Sequence, residues 1–415
     1  MAAWYGERLV SLRLPNRVNP TIGKAMKMIK ILLFSYLILQ SAIVWPEAYV
    51  PKGDDVILER LPVATGERKR LRELRSQANK NLGDYKLALT LARDYIALGR
   101  ANSDPRYYGY AEALLTPWLD AQNGQPDALV LRATILQNRH DFQAALSDLK
   151  AALKLNPRLP QAWLTLAAVY EVQGDYPSAL RSCLALARFS ASLTATICLN
   201  SAVSLSGQAQ TSYQQLALAV DSVQGNQEEL TWAYTLLAEL AERLNRVQEA
   251  DNWYQKAIAQ NYRSVYMLAS YADFLLDHNR PDEVLALLQA VTQADILLLR
   301  LTLAEQQRPH KDFNQHAELI NDRIAAAKAR GDTVHQGDEA RFSLYVLKDA
   351  ETALKLATSN WAVQKEPRDA RILLEAALAA NKLDAALRVL KFMEQTRLED
   401  ARLTPLLEQA KGQQS

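Results

Sequence analysis

Small residues recur along this chain at a fixed interval. Ala111, Ala145 and Ala179 lie 34 residues apart, and Ala250 and Val284 repeat the same step. A period of that length describes a single supersecondary unit, which buries its apolar face only by stacking on its neighbours. In the unit PQAWLTLAAVYEVQGDYPSALRSCLALARFSAS, residues 160–192, Trp163, Leu166, Ala167 and Tyr170 share one helical face. Gly174 breaks that helix, Asp175 and Tyr176 open a second, and Ala179 is small enough to let the two backbones approach. The preceding unit keeps the layout with Leu129, Ala133, Leu136, Phe142, Ala145, Ala152 and Pro157. Only 14 Gly and 15 Pro in 415 residues fit helices better than a strand-and-turn architecture. The expected fold class is all-α: a right-handed superhelical solenoid of antiparallel helix hairpins.

In these positions the chain resembles the tetratricopeptide repeat family. More narrowly it looks like exported bacterial members of that family with no assigned activity, through the stretches YVPKGDDVILERLP, SDPRYYGYAEALL, RATILQNRHDFQAAL and NWAVQKEPRDARILLEAALAA. Residues 49–81 read as a linker and leading helix, and 82–294 as the repeat array. Two units depart from the pattern. The first has a longer inter-helix loop through Asn102, Ser103, Asp104 and Pro105, and the unit after Cys198 has Tyr213 where the small residue is expected. Residues 295–341 fit the period poorly and read as an irregular helical segment. The pattern returns over 342–415, where Ala353 and Ala386 are 33 apart and a polar end helix follows.

Residues 31–44, ILLFSYLILQSAIV, carry no charge and follow Lys24, Lys27 and Lys30. A bilayer span needs about 20 apolar residues, so this layout fits the core of a signal peptide better than a stable membrane helix. Residues 1–48 are therefore expected to be an export signal, with translation beginning at Met26 or Met28. The alternative is a retained anchor over residues 28–45, because neither Ala42 nor Ala48 sits in a small-x-small cleavage context. Either way the body is expected in the periplasm or outside the cell.

Such arrays act by groove capture, and the resemblance implies that the first helix of each hairpin lines the groove. The outward positions in this register include Gln137 and Asn138, Glu171, Trp232, Glu239, Glu242 and Arg243, and Tyr266, Asp273 and Asp277. Val130, Thr134, Leu164, Ala168, Val172, Thr235 and Ala269 complete the lining. Five carboxylates against one arginine make it acidic, whereas the whole chain carries only +2. The expected partner is a protein or peptide of basic or mixed charge, and the small net charge argues against nucleic acid. The membrane enters only through an uncleaved N-terminal segment. The alternative is a solvated acidic face.

Nothing supports catalysis or a cofactor. The five histidines form no H-E-x-x-H pair, and no two of them are four apart; His310 and His316, near Asp312 and Glu318, are the only metal candidates. No nucleophile elbow, phosphate loop or dinucleotide fingerprint occurs. Tyr107, Tyr108, Tyr110 and Trp118 read as core packing, and Arg341, Trp361 and Arg368 as packing or helix-end residues. Cys183 and Cys198 are a candidate disulfide, although the register turns Cys198 partly toward the concave side; two buried small side chains are the alternative. The sequence reads as a non-catalytic interaction scaffold, with a membrane-anchored assembly factor as the alternative and a glycan-binding protein or enzyme on the same frame as a more remote one.

Overall fold

The computed structural model describes residues 66–412, apart from 82, 103, 120–123, 191, 223–224, 263, 290–292 and 332–333. The expected signal or anchor, residues 1–48, and the linker up to residue 65 lie outside the described residues. All regular structure among the described residues is helical.

Among the described residues a leading helix α1 (Gly66–Lys80) is followed by nine helix pairs. They are α2 (Tyr85–Asn102) with α3 (Arg106–Leu115), α4 (Pro126–Asn138) with α5 (Phe142–Leu155), and α6 (Pro160–Val172) with α7 (Tyr176–Ala187). Next come α8 (Leu193–Ser204) with α9 (Ala209–Ser222), α10 (Gln227–Arg243) with α11 (Val247–Ala259), and α12 (Val265–Asp277) with α13 (Pro281–Leu288). The last three are α14 (Asp295–Gln307) with α15 (Phe313–Ala329), α16 (Gln336–Tyr345) with α17 (Ala350–Val363), and α18 (Pro367–Ala379) with α19 (Leu383–Thr396), before an end helix α20 (Thr404–Gly412). The stretch 295–341, whose register the sequence left open, is thus one more hairpin with a long second helix, plus the start of α16. The longer loop expected after Arg100 is absent, because α2 runs on to Asn102 and only three residues separate it from α3.

One local device makes the hairpins. In five of the nine pairs the second residue beyond the first helix adopts a left-handed backbone: His140, Gly174, Asn245, Asn279 and Asn381 have φ between 52° and 77°. The following N–H then reaches back five residues, as from Asp141 to Leu136 O at 3.0 Å, Asp175 to Tyr170 O at 2.9 Å and Arg280 to Leu275 O at 2.9 Å. Second helices start on caps of their own; Asp141 accepts from Ala144 N–H at 3.3 Å and Asp175 from Ser178 N–H at 3.1 Å. The recurring small residues sit where the paired helices touch, so Ala111, Ala145, Ala179, Ala250, Val284 and Ala353 are wholly buried. Tyr213, at 8% exposure, replaces the small residue by turning its hydroxyl outward to the Glu249 carboxylate and accepting from Trp253 Nε1 at 2.9 Å.

Cys183 on α7 and Cys198 on α8 are joined in a disulfide with Cα atoms 5.5 Å apart. The bond corrects the concave-side orientation read for Cys198: at 3% exposure it faces α7 in the junction between two hairpins. Closing a loop of 15 residues contributes about 3 kcal/mol by restricting the unfolded chain. Of the aromatics near the start, Tyr107, Tyr108 and Trp118 pack against the core, with Tyr107 against Tyr95 and Trp118 against Tyr85, whereas Tyr110, read as core, is 45% exposed, with its ring against Tyr95.

Apolar packing divides the array. The stretch from α8 to α15 shares one cluster that extends to Phe342, whereas α16 to α20 have a second cluster of their own around Ala353, Trp361, Leu373 and Leu403. The array also curls: α12 comes against α2.

Candidate functional site

The concave side is not open. Thr134, Thr235 and Ala269, placed outward by the sequence register, are exposed by only 4%, 2% and 2%, and Glu242 and Arg243 by 8% and 6%. At Glu242 and Arg243 the cover is the block α16–α20, which folds back onto the C-terminal ends of the first helices, a contact that a register read one hairpin at a time does not contain. Two segments make it, the α17–α18 link and the loop after α19.

Backbone bonds fix both. Lys365 N–H donates to Val172 O at the end of α6 at 2.7 Å, and Ala401 N–H donates to Arg243 O at the end of α10 at 2.9 Å. Glu399 accepts from Ala209 N–H at 3.1 Å, and the Gln364 side-chain amide lies 3.0 Å from His140 Nε2. The apolar part is small: Tyr176, Leu205 and Leu398, with Phe392 and Met393 at its edge. Glycine is required at one of these contacts. Gly174 has φ 77°, and a Cβ there would lie 2.8 Å from the Phe392 ring.

Arginines of the block meet the acidic positions. Arg402 Nη1 donates to Glu242 at 3.0 Å, and Tyr254 donates to the other oxygen of the same carboxylate at 2.6 Å. Arg371 bonds both oxygens of Asp277, one at 2.7 Å. Asp273 is held by Arg300 at 2.9 and 3.0 Å and by Arg341 at 2.7 Å, so Arg341 is an ion-pair partner rather than the packing residue the sequence suggested. Arg300, 2% exposed, also reaches Asp338 at 2.6 Å. Arg368 stacks over the Tyr266 ring at 5.4 Å, and Trp361 meets Phe392 edge-on.

The remaining lining positions bond within the array. Glu239 accepts from Tyr266 at 2.7 Å and Ser270 at 2.9 Å, Glu171 accepts from Ser201 at 2.9 Å, and Asn138 accepts from Tyr108 at 3.0 Å. Arg243 donates to Ser204 O at 2.8 Å. Gln137 is half-buried, and Trp232 packs half-buried against the central core. The structure therefore brings Glu239 to Tyr266 and aligns Glu242, Asp273 and Asp277 with arginines. Sequence reasoning missed Arg300, Arg371, Arg402 and Asp400, the last of which accepts from Arg402 at 2.7 and 2.9 Å. The cluster Arg368–Arg371 was visible as charge, but no local pattern says where a helix end docks.

Protonation follows from this burial. For Asp273, burial opposes the charge, but Arg300 and Arg341 outweigh it and hold the carboxyl well below the usual range. Glu171 goes the other way: burial, with Glu366 adding to it, pushes its pKa to about 8 despite Ser201. Burial likewise takes Glu242 to about 7 despite Arg402 and Tyr254, and Asp369 to about 7, where Glu366 adds to the shift. His316 Nδ1 lies 2.9 Å from Glu305, and His310 is 3.7 Å from the same carboxylate and 3.6 Å from Asp312. Among the described residues no group of three or more His, Cys, Asp or Glu side chains is placed to hold a metal ion.

A linear array of helix hairpins, most of them sharing one turn or one small-residue contact, defines a helical-repeat protein. Residues 233–264, from α10 to the start of α12, match the tetratricopeptide repeat family model. The chain therefore carries a tetratricopeptide repeat in that stretch. It is similar to a chain of the APC/C hetero-tetramer Cut9–Hcn1, with 12% identity over 79% of this chain and 63% of that one, at a TM-score of 0.48. It thus spans less than two thirds of that chain's length. It is also similar to the human IFIT1 dimer solved with m7Gppp-AAAA, with 12% identity over 83% and 85% of the two chains and a TM-score of 0.44. Yeast Tom70 gives 12% identity over 83% and 96%, with a TM-score of 0.34. No curated protein matches the sequence.

Two outcomes test this geometry. Glu171 and Glu242 bind protons more tightly when folded than at their ordinary value of 4.5, so the folded chain gains protons as pH falls from about 8 toward 4.5. Their burial cost is fully present above that window and relieved within it. Urea unfolding should therefore show greater stability at about pH 6 than at about pH 8.5, by on the order of 2 kcal/mol, and Glu171→Gln should flatten the dependence. Equal stabilities in the native chain would contradict the buried placement. Gly174→Ala meets both the Phe392 ring and an unfavourable backbone, and should cost about 1–3 kcal/mol. Hydrogen exchange should then speed up at the Lys365 and Ala401 amides while α4 and α5 amides stay protected.

Proposed function

We propose that the chain is a protein-interaction scaffold, a reading its tetratricopeptide repeat supports, that it is exported and non-catalytic, and that its partner is a protein segment carrying arginine, which takes the concave first-helix ends in exchange for the chain's own residues 364–402. The observation that carries this reading is the pairing of Glu242 with Arg402 and Asp277 with Arg371, which come from a block with its own apolar cluster. The groove chemistry is thus matched to arginine, and its present occupant is attached through ion pairs and a small apolar bridge. Polar contacts between separately cored blocks favour relative motion. Closure also buries Glu171, Glu242 and Asp369 with raised proton affinity, a cost that weighs against the closed form at neutral and alkaline pH.

Export is supported by the lysine-flanked apolar stretch 31–44 and by the Cys183–Cys198 bond, which persists in oxidising compartments. Among the described residues no helix is long and apolar enough to cross a membrane.

Removing the two clasp arginines tests the exchange. A labelled peptide with the sequence of residues 396–404 should bind full-length Arg371→Ala/Arg402→Ala at least about tenfold more tightly than the native chain, with affinity falling as salt rises. Equal affinity for both would overturn the exchange. For export, alkylation of thiols in intact cells followed by mass measurement should find Cys183 and Cys198 oxidised and a chain shortened by the signal; free thiols in an unshortened chain would place the protein in a reducing compartment.

A further inference from the structure

The repeat also builds a surface on the second helices. Leu155, Leu184, Phe189 and Leu218, on or just after α5, α7 and α9, are exposed by 58%, 48%, 43% and 72%. Leu155 and Phe189 are one period apart, as are Leu184 and Leu218, so they occupy the same positions on neighbouring hairpins. Five exposed cations stand among them: Lys150, Lys154, Arg158, Arg181 and Arg188. Lys150 shares the repeat position of Leu184, and Lys154 that of Arg188. On α7, Arg181, Leu184 and Arg188 follow a three-then-four spacing and so lie on one face.

These charges are uncompensated. Arg181 bonds Ser178 Oγ at 2.7 Å, while Lys150, Lys154, Arg158 and Arg188 have no carboxylate partner among the described residues. Within α5 and α7 the only acid is Asp148, which is 7% exposed and already bound to Arg132, while α9 adds one exposed acid, Asp221, and no cation, so the face keeps a net positive charge from the five basic residues. Later second helices differ, with Glu249 and Asp251 on α11 and Asp282 and Glu283 on α13.

Leucine and phenylalanine side chains that protrude to this degree, interleaved with free cations, match an interface that takes charge and apolar groups at successive depths. In an anionic bilayer, cations sit at the phosphates while neighbouring apolar side chains enter the acyl boundary. An acidic protein partner would use the cations but leave Leu218 and Leu155 without a pocket. The Cys183–Cys198 bond, adjacent to Leu184, holds the centre of this face in place. We propose that the face formed by α5, α7 and α9 docks on an anionic lipid surface, independently of the concave exchange.

Lysine reactivity of the full chain tests this. The protein is mixed with vesicles of equimolar phosphatidylglycerol and phosphatidylcholine, or of phosphatidylcholine alone, and acetylation of individual lysines is timed by mass spectrometry. Residues 31–44 are present in both, so any difference between lipids reports on charge recognition. Lys150 and Lys154 should react about fivefold more slowly on the anionic vesicles, Lys355 and Lys391 should be unchanged, and high salt should remove the protection. Leu184→Ser/Arg188→Glu, at exposed positions away from the clasp, should abolish it. Equal rates on the two lipids would overturn the proposal. Protection by a polyglutamate peptide but not by vesicles would overturn it in favour of an acidic protein partner.

Discussion

The whole array rests on the close approach of two helices at one small side chain. At Ala145 or Ala179 the backbones meet without a gap, and the left-handed residue at 140 or 174 reverses the chain in the few residues available. Only a short, repeatable reversal keeps successive hairpins in the same orientation, which lets each bury its apolar face on the next. Where the small residue is replaced by Tyr213, the pair survives because the ring runs along the contact and its hydroxyl finds Glu249 and Trp253.

Repetition has an electrostatic consequence. Because each first helix ends in the same place, carboxylates from hairpins far apart in sequence gather at one end of the concave side. Asp273 is stabilised as an anion by two arginines, whereas Glu171 and Glu242 are buried faster than they are compensated. The same closure therefore contains strong ion pairs and groups that would rather be neutral, and the balance between them sets how firmly the C-terminal block is held.

Most of the fold was legible in the sequence because it is local. The period, the breaks at Gly174 and the small residues all act within one hairpin. The site was less legible because its partners are remote: Arg402 meets Glu242 across 160 residues and Gln364 meets His140 across 224. The acidic bias of Glu239, Glu242, Asp273 and Asp277 was readable, but the arginines opposite them carry no periodic signature. Cys198 was misoriented for a related reason, since its direction depends on how one hairpin stacks on another rather than on its own helix.

The order of the chain gives the fold-back a direction in time. Repeats whose contacts are near neighbours can form as soon as they emerge from synthesis, whereas the clasp closes loops of well over a hundred residues and is composed of segments that appear after the repeats it covers. The acidic ends of α6, α10 and α12 are thus complete before anything in the chain can cover them. Each newly made molecule passes through a stage in which its inner face is assembled and vacant, and residues 364–402 decide when that stage ends.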